Sequence, residues 1–255
     1  MNNNILNWLR IILKERFSSE LILEKKNQTL ILKTENLNGL IIFDKLQENF
    51  LKLKSNINCE KWKPELEGFF SISNKSIFAP TSIPLTLPLI EKEKENYLIH
   101  YDILGLAYWS LNRLEEIESD NLDKHKRFDF KSSHAYIHKY LDHPIVDYWF
   151  DILSQVIKRL WPKINLKKNK FEIDLSHDVD NPSILYLGKN FHSYLRSIIG
   201  KFINGNLNDY KKIVSTYFEN NLAISNTDPY NTFEWIMNIS EKNNNHPWRD
   251  HNKKK

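Results

Sequence analysis

Apolar positions recur at helical spacing from the first turn of the chain. Ile5, Leu6, Leu9, Ile12, Leu13 and Phe17 share one side of an amphipathic helix expected over residues 4–17. Short apolar runs follow at Leu21-Ile22-Leu23, Leu30-Ile31-Leu32 and Leu40-Ile41-Ile42-Phe43, with Asn-rich turns between, and these read as strands. Phe69-Phe70-Ser71-Ile72 and the stretch from Ile83 to Leu89 continue the β character. Pro84 and Pro88 confine that last piece to an edge or a loop. After Tyr97 the pattern turns helical. A buried helix runs through Ile103–Leu111 with Asp102 near its N-cap. A polar connector from Glu118 to Lys126 follows. Pro144 then opens, at N1, a helix with Ile145, Trp149, Ile152, Leu153, Val156 and Leu160 on one face. Pro162 and the Lys-rich run at 167–170 end it, and a domain boundary is placed near residue 165.

Beyond that boundary Phe171-Glu172-Ile173-Asp174-Leu175 alternates as a half-buried strand does, and it leads into Ser176-His177-Asp178-Val179-Asp180-Asn181-Pro182. Later stripes at Phe191, Tyr194, Leu195, Ile198 and at Tyr210, Ile213, Val214, Tyr217 read as helices. Asp228–Thr232 is a turn that starts a further helix carrying Phe233, Trp235, Ile236 and Ile239. From residue 243 the sequence is a polar tail, and no folded element is expected there.

Composition narrows the classes. With 255 residues, 41% hydrophobic and 13% aromatic, the chain has the length and apolar content for a real core. Its 36 basic and 32 acidic residues leave a net charge of only +4, most of it in Lys253-Lys254-Lys255. No basic, aromatic-bearing segment resembles a nucleic-acid platform, so no nucleic-acid partner is expected. Cys59 is the single cysteine, which excludes an internal disulfide and a cysteine-based zinc cluster. No apolar run reaches the roughly 18 residues of a membrane span. The start of the chain lacks the pattern of a signal peptide, and the cytoplasm is the expected compartment. None of the six glycines forms a phosphate loop.

The chemistry-bearing feature is the pair Asp178 and Asp180. Side chains two apart on a strand point the same way, so both carboxylates leave one face at the strand's end. Two neighbouring carboxylates repel unless one is protonated or a cation lies between them, and a metal ion is the simplest resolution. Asp and Asn beside Pro are also ordinary turn formers, and spacing alone leaves both readings open. Ser176 and His177 are strand neighbours on opposite faces, so they cannot act directly as nucleophile and base. Among nine histidines, His125, His134, His138 and His143 crowd together in sequence. His134 and His138 have the spacing of a two-His metal site, but packing roles are expected for them. His246 and His251 are expected to be solvated. Tyr108, Trp109 and Trp149 sit among leucines and are read as core in preference to sugar-stacking platforms.

The segment from Phe171 to Pro182 resembles the first motif of bacterial polysaccharide deacetylase-like proteins, a strand ending in Thr/Ser-His-Asp-Val-Asp. Tyr101-Asp102-Ile103-Leu104-Gly105, Arg113-Leu114-Glu115-Glu116, Asp123-Lys124-His125-Lys126-Arg127-Phe128 and Pro144-Ile145-Val146-Asp147 are similar to the N-terminal domain of one subgroup. So are Tyr186-Leu187-Gly188-Lys189 and the run from Asp228 to Met237, and together these segments cover most of residues 97–242. The resemblance implies a distorted (β/α) barrel that binds a divalent metal, often zinc, and removes an acetyl group from an N-acetylated sugar. It implies that Asp178 is the general base and Asp180 a metal ligand. The metal would polarise the amide carbonyl, and a carboxylate would take the proton of the attacking water.

One departure matters. The family adds two histidine ligands on a later segment of the His-Glu-Ile-Gly-Leu-His type, and no such segment follows Trp235. A closed barrel needs on the order of 200 residues, whereas 90 follow position 165. The expectation is therefore an α/β protein in three parts: an α+β accessory domain (1–165), the incomplete start of a deacetylase-type barrel with a helical insertion (166–242), and a polar tail (243–255). Its expected partner is an N-acetylated glycan, with no membrane span and with a second chain as one source of the missing barrel half. Amide hydrolysis is expected to fail in this chain alone, since two carboxylates without the histidines are expected to bind zinc only weakly. The alternatives are a non-catalytic carbohydrate-binding or interaction module and, behind it, an Asp-x-Asp phosphatase, which Pro182 disfavours. An Asp-x-Asp glycosyltransferase fits the Gly-poor first half less well.

Overall fold

The Asn2 side chain accepts a hydrogen bond from the Ile5 amide at 3.0 Å and starts helix α1 (Asn3–Arg16), with Lys14 and Arg16 in its last turn. The predicted stripe is the buried one: Leu6, Leu9 and Leu13 enter the core, and Phe17 follows them just past the helix. This computed structural model describes residues 1–53, 57–72, 75–167, 195–196, 199–200, 203 and 231–242. The chain divides into two compact units, Met1–Lys168 and Asn169–Lys255.

In the first unit, β1 (Ile22–Lys26), β2 (Thr29–Lys33), β3 (Ile41–Phe43), β6 (Ile90–Glu93) and β7 (Asn96–Ile99) form a sheet in the order β1-β2-β3-β7-β6. Asn27, at φ 54°, makes the tight turn between β1 and β2, the backbone region that Asn tolerates well. Every pairing is antiparallel except β3 with β7, which run parallel with Ile41 opposite Tyr97. A second, two-stranded sheet pairs β4 (Asn58–Trp62) with β5 (Ile77–Thr81). The helices α2 (Ile103–Leu111), α3 (His134–Ile137) and α4 (Ile145–Leu160) complete the unit. Trp149 on α4 lies at the centre, stacked 4.2 Å from Tyr101 and 5.2 Å from Trp62 between ring centroids. Of the second unit, helix α5 (Phe233–Lys242) is described, at the position the sequence predicts. The protein is of mixed α and β class, as expected, with no closed barrel among the described residues. No described helix is long and apolar enough to cross a membrane.

Two sequence expectations change. Pro144 is the N-cap of α4, one place before N1. Phe69–Ile72 is no strand: Pro64–Glu67 forms a 3-10 turn that ends on left-handed Gly68, and Phe69 is buried while Phe70 faces out. The Phe70 amide and carbonyl are both bonded to the Gln155 side chain on α4, so they are unavailable to a strand ladder.

Asp102 caps α2 as predicted. Its Oδ1 accepts from the Gly105 amide at 2.7 Å, and its Oδ2 accepts from the Gln47 amide at 2.8 Å. A Cβ at Gly105 would overlap that carboxylate. Gly105→Ala is therefore expected to destabilise the protein by about 1–3 kcal/mol, against the usual helix preference for alanine, as read from urea denaturation midpoints.

Candidate functional site

The predicted catalytic Asp178 and metal ligand Asp180 lie outside the described residues, as do Ser176, His177, His246 and His251. What the structure does describe is how the first unit places its own polar side chains.

The carboxyl ends of the parallel pair β3 and β7 set two of them side by side. Asp44 follows β3 and His100 follows β7, and the Asp44 amide donates to the Ile99 carbonyl at 3.4 Å. His100 Nδ1 lies 2.9 Å from both Asp44 carboxylate oxygens, and its Nε2 faces Glu91 on β6 at 3.7 Å. A carboxylate on Nδ1 fixes the ring's orientation and leaves Nε2 as the outer nitrogen, an arrangement able to move a proton. Beside it runs a second network. The buried Gln47 gives its amide to Asp102, while its Oε1 takes hydrogen bonds from Thr81 Oγ1, the Ser82 amide and Ser82 Oγ at 2.7–3.2 Å. Burial pushes the Asp102 carboxyl up to about 6, opposed by the Gln47 and Gly105 amides that favour its charged form. Asp44, Gln47 and Asp102 line a cavity of about 220 Å³ together with Lys25 and Asn27. The sequence reading placed Asp102 only as a cap and missed Asp44, Gln47 and His100. The one local signal was a polar residue directly after an apolar run.

The histidine group resolves into structural roles. His134 is 7% exposed: its Nδ1 lies 2.6 Å from Tyr140 Oη, and its Nε2 lies 2.9 Å from the Ile57 carbonyl. Burial, and then the neighbouring His138 ring, lower it to about 4 and keep it neutral. Its backbone amide donates to Glu115, whose carboxyl is raised by burial. The His138 ring lies 4.2 Å from it, and His143 packs on Phe78. His125 sits in an exposed turn whose amide donates to Asp123. His134 packs in the core, as expected. Trp109 and Trp149 are core residues, also as expected, and Tyr108 is half-buried against Trp8. Cys59 is half-buried on β4, and burial raises its thiol to about 11, which keeps it protonated and unreactive. Among the described residues no group of three or more His, Cys, Asp or Glu side chains is arranged to hold a metal ion.

The model of a family of unknown function, DUF7033, matches residues 2–162, more than half of the chain and nearly all of the first unit. No curated protein and no solved structure matches the chain. With its helices α1–α4 and both sheets inside that span, the chain belongs to the DUF7033 family.

Proposed function

We propose that this chain is a deacetylase-like hydrolase of the C–N amide bond of an N-acetylated sugar. Its first unit is an accessory domain, and its chemistry resides in the second unit. One observation carries this reading: the apolar-polar alternation of Phe171–Leu175 runs straight into Ser176-His177-Asp178-Val179-Asp180, followed by Asn181-Pro182. Asp178 acts as general base and Asp180 as a ligand of a divalent metal, zinc being the metal that the resemblance implies. In the first unit Asp44 holds His100, Asp102 caps a helix, and His134 bridges Tyr140 and Ile57. The cytoplasm is the compartment, and a second chain is a source for the remaining ligands.

Two carboxylates bind zinc far more weakly than a four-ligand set does. The 255-residue chain is expected to release no acetate from N-acetylglucosamine oligomers above background, with or without zinc. In calorimetric titration with zinc alone, Asp180→Ala is expected to weaken binding by at least about tenfold. Zinc binding that is identical in the variant would remove Asp180 from the site. Zinc-dependent acetate release abolished by Asp178→Asn would show that the chain is active by itself.

A further inference from the structure

Residues from the end of α2, the turn after it, the chain around α3 and the first turn of α4 line another cavity of the first unit, of about 320 Å³. That is the lower end of the size range of small-molecule sites. The turns that leave α2 and α3 are built alike. Arg113 follows the C-cap of α2 at φ 53°, its amide donating to the Ser110 carbonyl at 3.2 Å and the Leu114 amide to the Trp109 carbonyl at 3.1 Å. Lys139 repeats this after α3 at φ 60°, its amide donating to the Tyr136 carbonyl at 3.2 Å and the Tyr140 amide to the Ala135 carbonyl at 2.9 Å. Glycine is the usual residue at such a position, because a Cβ is disfavoured in the left-handed region. Strained residues of this kind gather at ligand clamps, and the Arg113 side chain lines the cavity.

The lining residues decide what fits. Arg113 donates through Nε and Nη2 to the two carboxylate oxygens of Glu116, the first at 2.6 Å, and Asp147 is paired with Arg16. Glu115 accepts the His134 amide at 2.8 Å, and burial raises its carboxyl, which disfavours its charged form. An anion would meet Glu115, Glu116 and Asp147 together with a guanidinium already committed. A cation would meet two carboxylates already paired and a third whose ionisation burial opposes. What remains is hydrogen bonding without net charge: the guanidinium N–H groups that Glu116 does not use, and the lone pairs left over on the three carboxyl groups. Leu111, Ala135 and Val146 add apolar surface to the same lining. An uncharged polyhydroxylated molecule, with a donor and an acceptor at each hydroxyl and C–H surface between them, matches both parts.

We infer that this cavity binds one uncharged sugar unit; that the unit is N-acetylated rests on the function proposed above. Calorimetric titration of the full chain with N-acetylglucosamine oligomers is expected to show binding. Glucosamine oligomers, whose free amines are charged in weakly acidic buffer, are expected to bind at least about tenfold more weakly. Val146→Phe fills the cavity from a half-buried position and is expected to weaken binding of the N-acetylated oligomers by at least about tenfold. Arg113→Gly removes the guanidinium fork and the left-handed strain together. Its affinity is expected to fall by a similar factor while its urea denaturation midpoint holds or rises, since the exposed pair with Glu116 is worth little. Asp180→Ala, which tests the metal site of the second unit, is expected to leave the sugar affinity unchanged, so that loss of zinc binding and loss of sugar binding are separable. No binding by the native chain, undiminished binding by Val146→Phe and Arg113→Gly, or tighter binding of the glucosamine oligomers overturns the inference. Sugar affinity lost in Asp180→Ala and kept in the other two variants would place the sugar in the second unit and overturn it as well.

Discussion

Trp149→Ala is expected to cost about 3–5 kcal/mol, enough to leave most of a marginally stable domain unfolded. Trp149 is fully buried, and its ring lies in a stack between Tyr101, inclined at 30°, and Trp62, inclined at 10°. Truncation removes both ring contacts at once and opens a cavity that neither neighbour can fill without leaving its own hydrogen bond. Tyr101 Oη donates to the Pro80 carbonyl at 2.9 Å, and Trp62 Nε1 donates to Glu67. Trp149 Nε1 in turn donates to the Phe78 carbonyl at 2.9 Å. Strand β5 is thus pinned to the rest of the unit by two aromatic donors, at Phe78 and Pro80, and the variant loses one of them. Trp149→Phe keeps most of the stack without the donor and is expected to cost about 1–3 kcal/mol. Urea denaturation followed by circular dichroism ranks the three proteins. A loss below about 1 kcal/mol for Trp149→Ala would mean that the stack is not the centre of the core.

The same residue shows why part of the fold was readable in the sequence. Trp149 falls on the helical stripe of α4, and α1 and α2 declare themselves by the same period, α2 with its Asp102 cap as well. Strands β1, β2 and β3 carry short apolar runs that survive into the structure. Strand β6 had no such signal, because only Ile90 is buried and Glu91-Lys92-Glu93 all face water at the sheet's edge. Strand β4, Asn58-Cys59-Glu60-Lys61-Trp62, fully buries only Trp62 and so shows no alternation to read. Phe69–Ile72 failed in the opposite direction: the composition suits a strand, but a side chain from 85 residues away takes the backbone groups. Non-local pairing also hid the cluster of Asp44 and His100. They stand 56 residues apart and meet only because β3 and β7 run parallel. The Asp178 and Asp180 motif, whose spacing alone leaves a turn and a metal site both open, lies outside the described residues.

Acid is expected to expose two buried groups that act against each other. Asp102 titrates near 6 in the folded chain, above its ordinary 3.8, because burial disfavours its charge. Its proton is held more tightly folded than unfolded, so this group adds roughly 3 kcal/mol of stability below about pH 4 that is lost as pH rises through 6. His134 has the opposite sign. Burial lowers it from 6.5 to about 4, so its contribution, again roughly 3 kcal/mol, is complete above pH 6.5 and is lost as pH falls through 4. Glu115, whose carboxyl accepts from the His134 amide and is raised by burial, acts in the direction of Asp102. Between about pH 4 and 6 the slopes offset, and the native protein should show a nearly flat stability profile in urea denaturation. Asp102→Asn removes one side of the balance, and its stability is expected to fall by roughly 3 kcal/mol from pH 6.5 to pH 4. In His134→Gln the slope should reverse, with stability rising on acidification. The slope is the quantity that decides, since both substitutions also lower the baseline by disturbing buried hydrogen bonds. A native profile as steep as that of Asp102→Asn would show that Asp102 is ionised in the folded chain well below pH 6, with its two amide donors outweighing the burial that surrounds it.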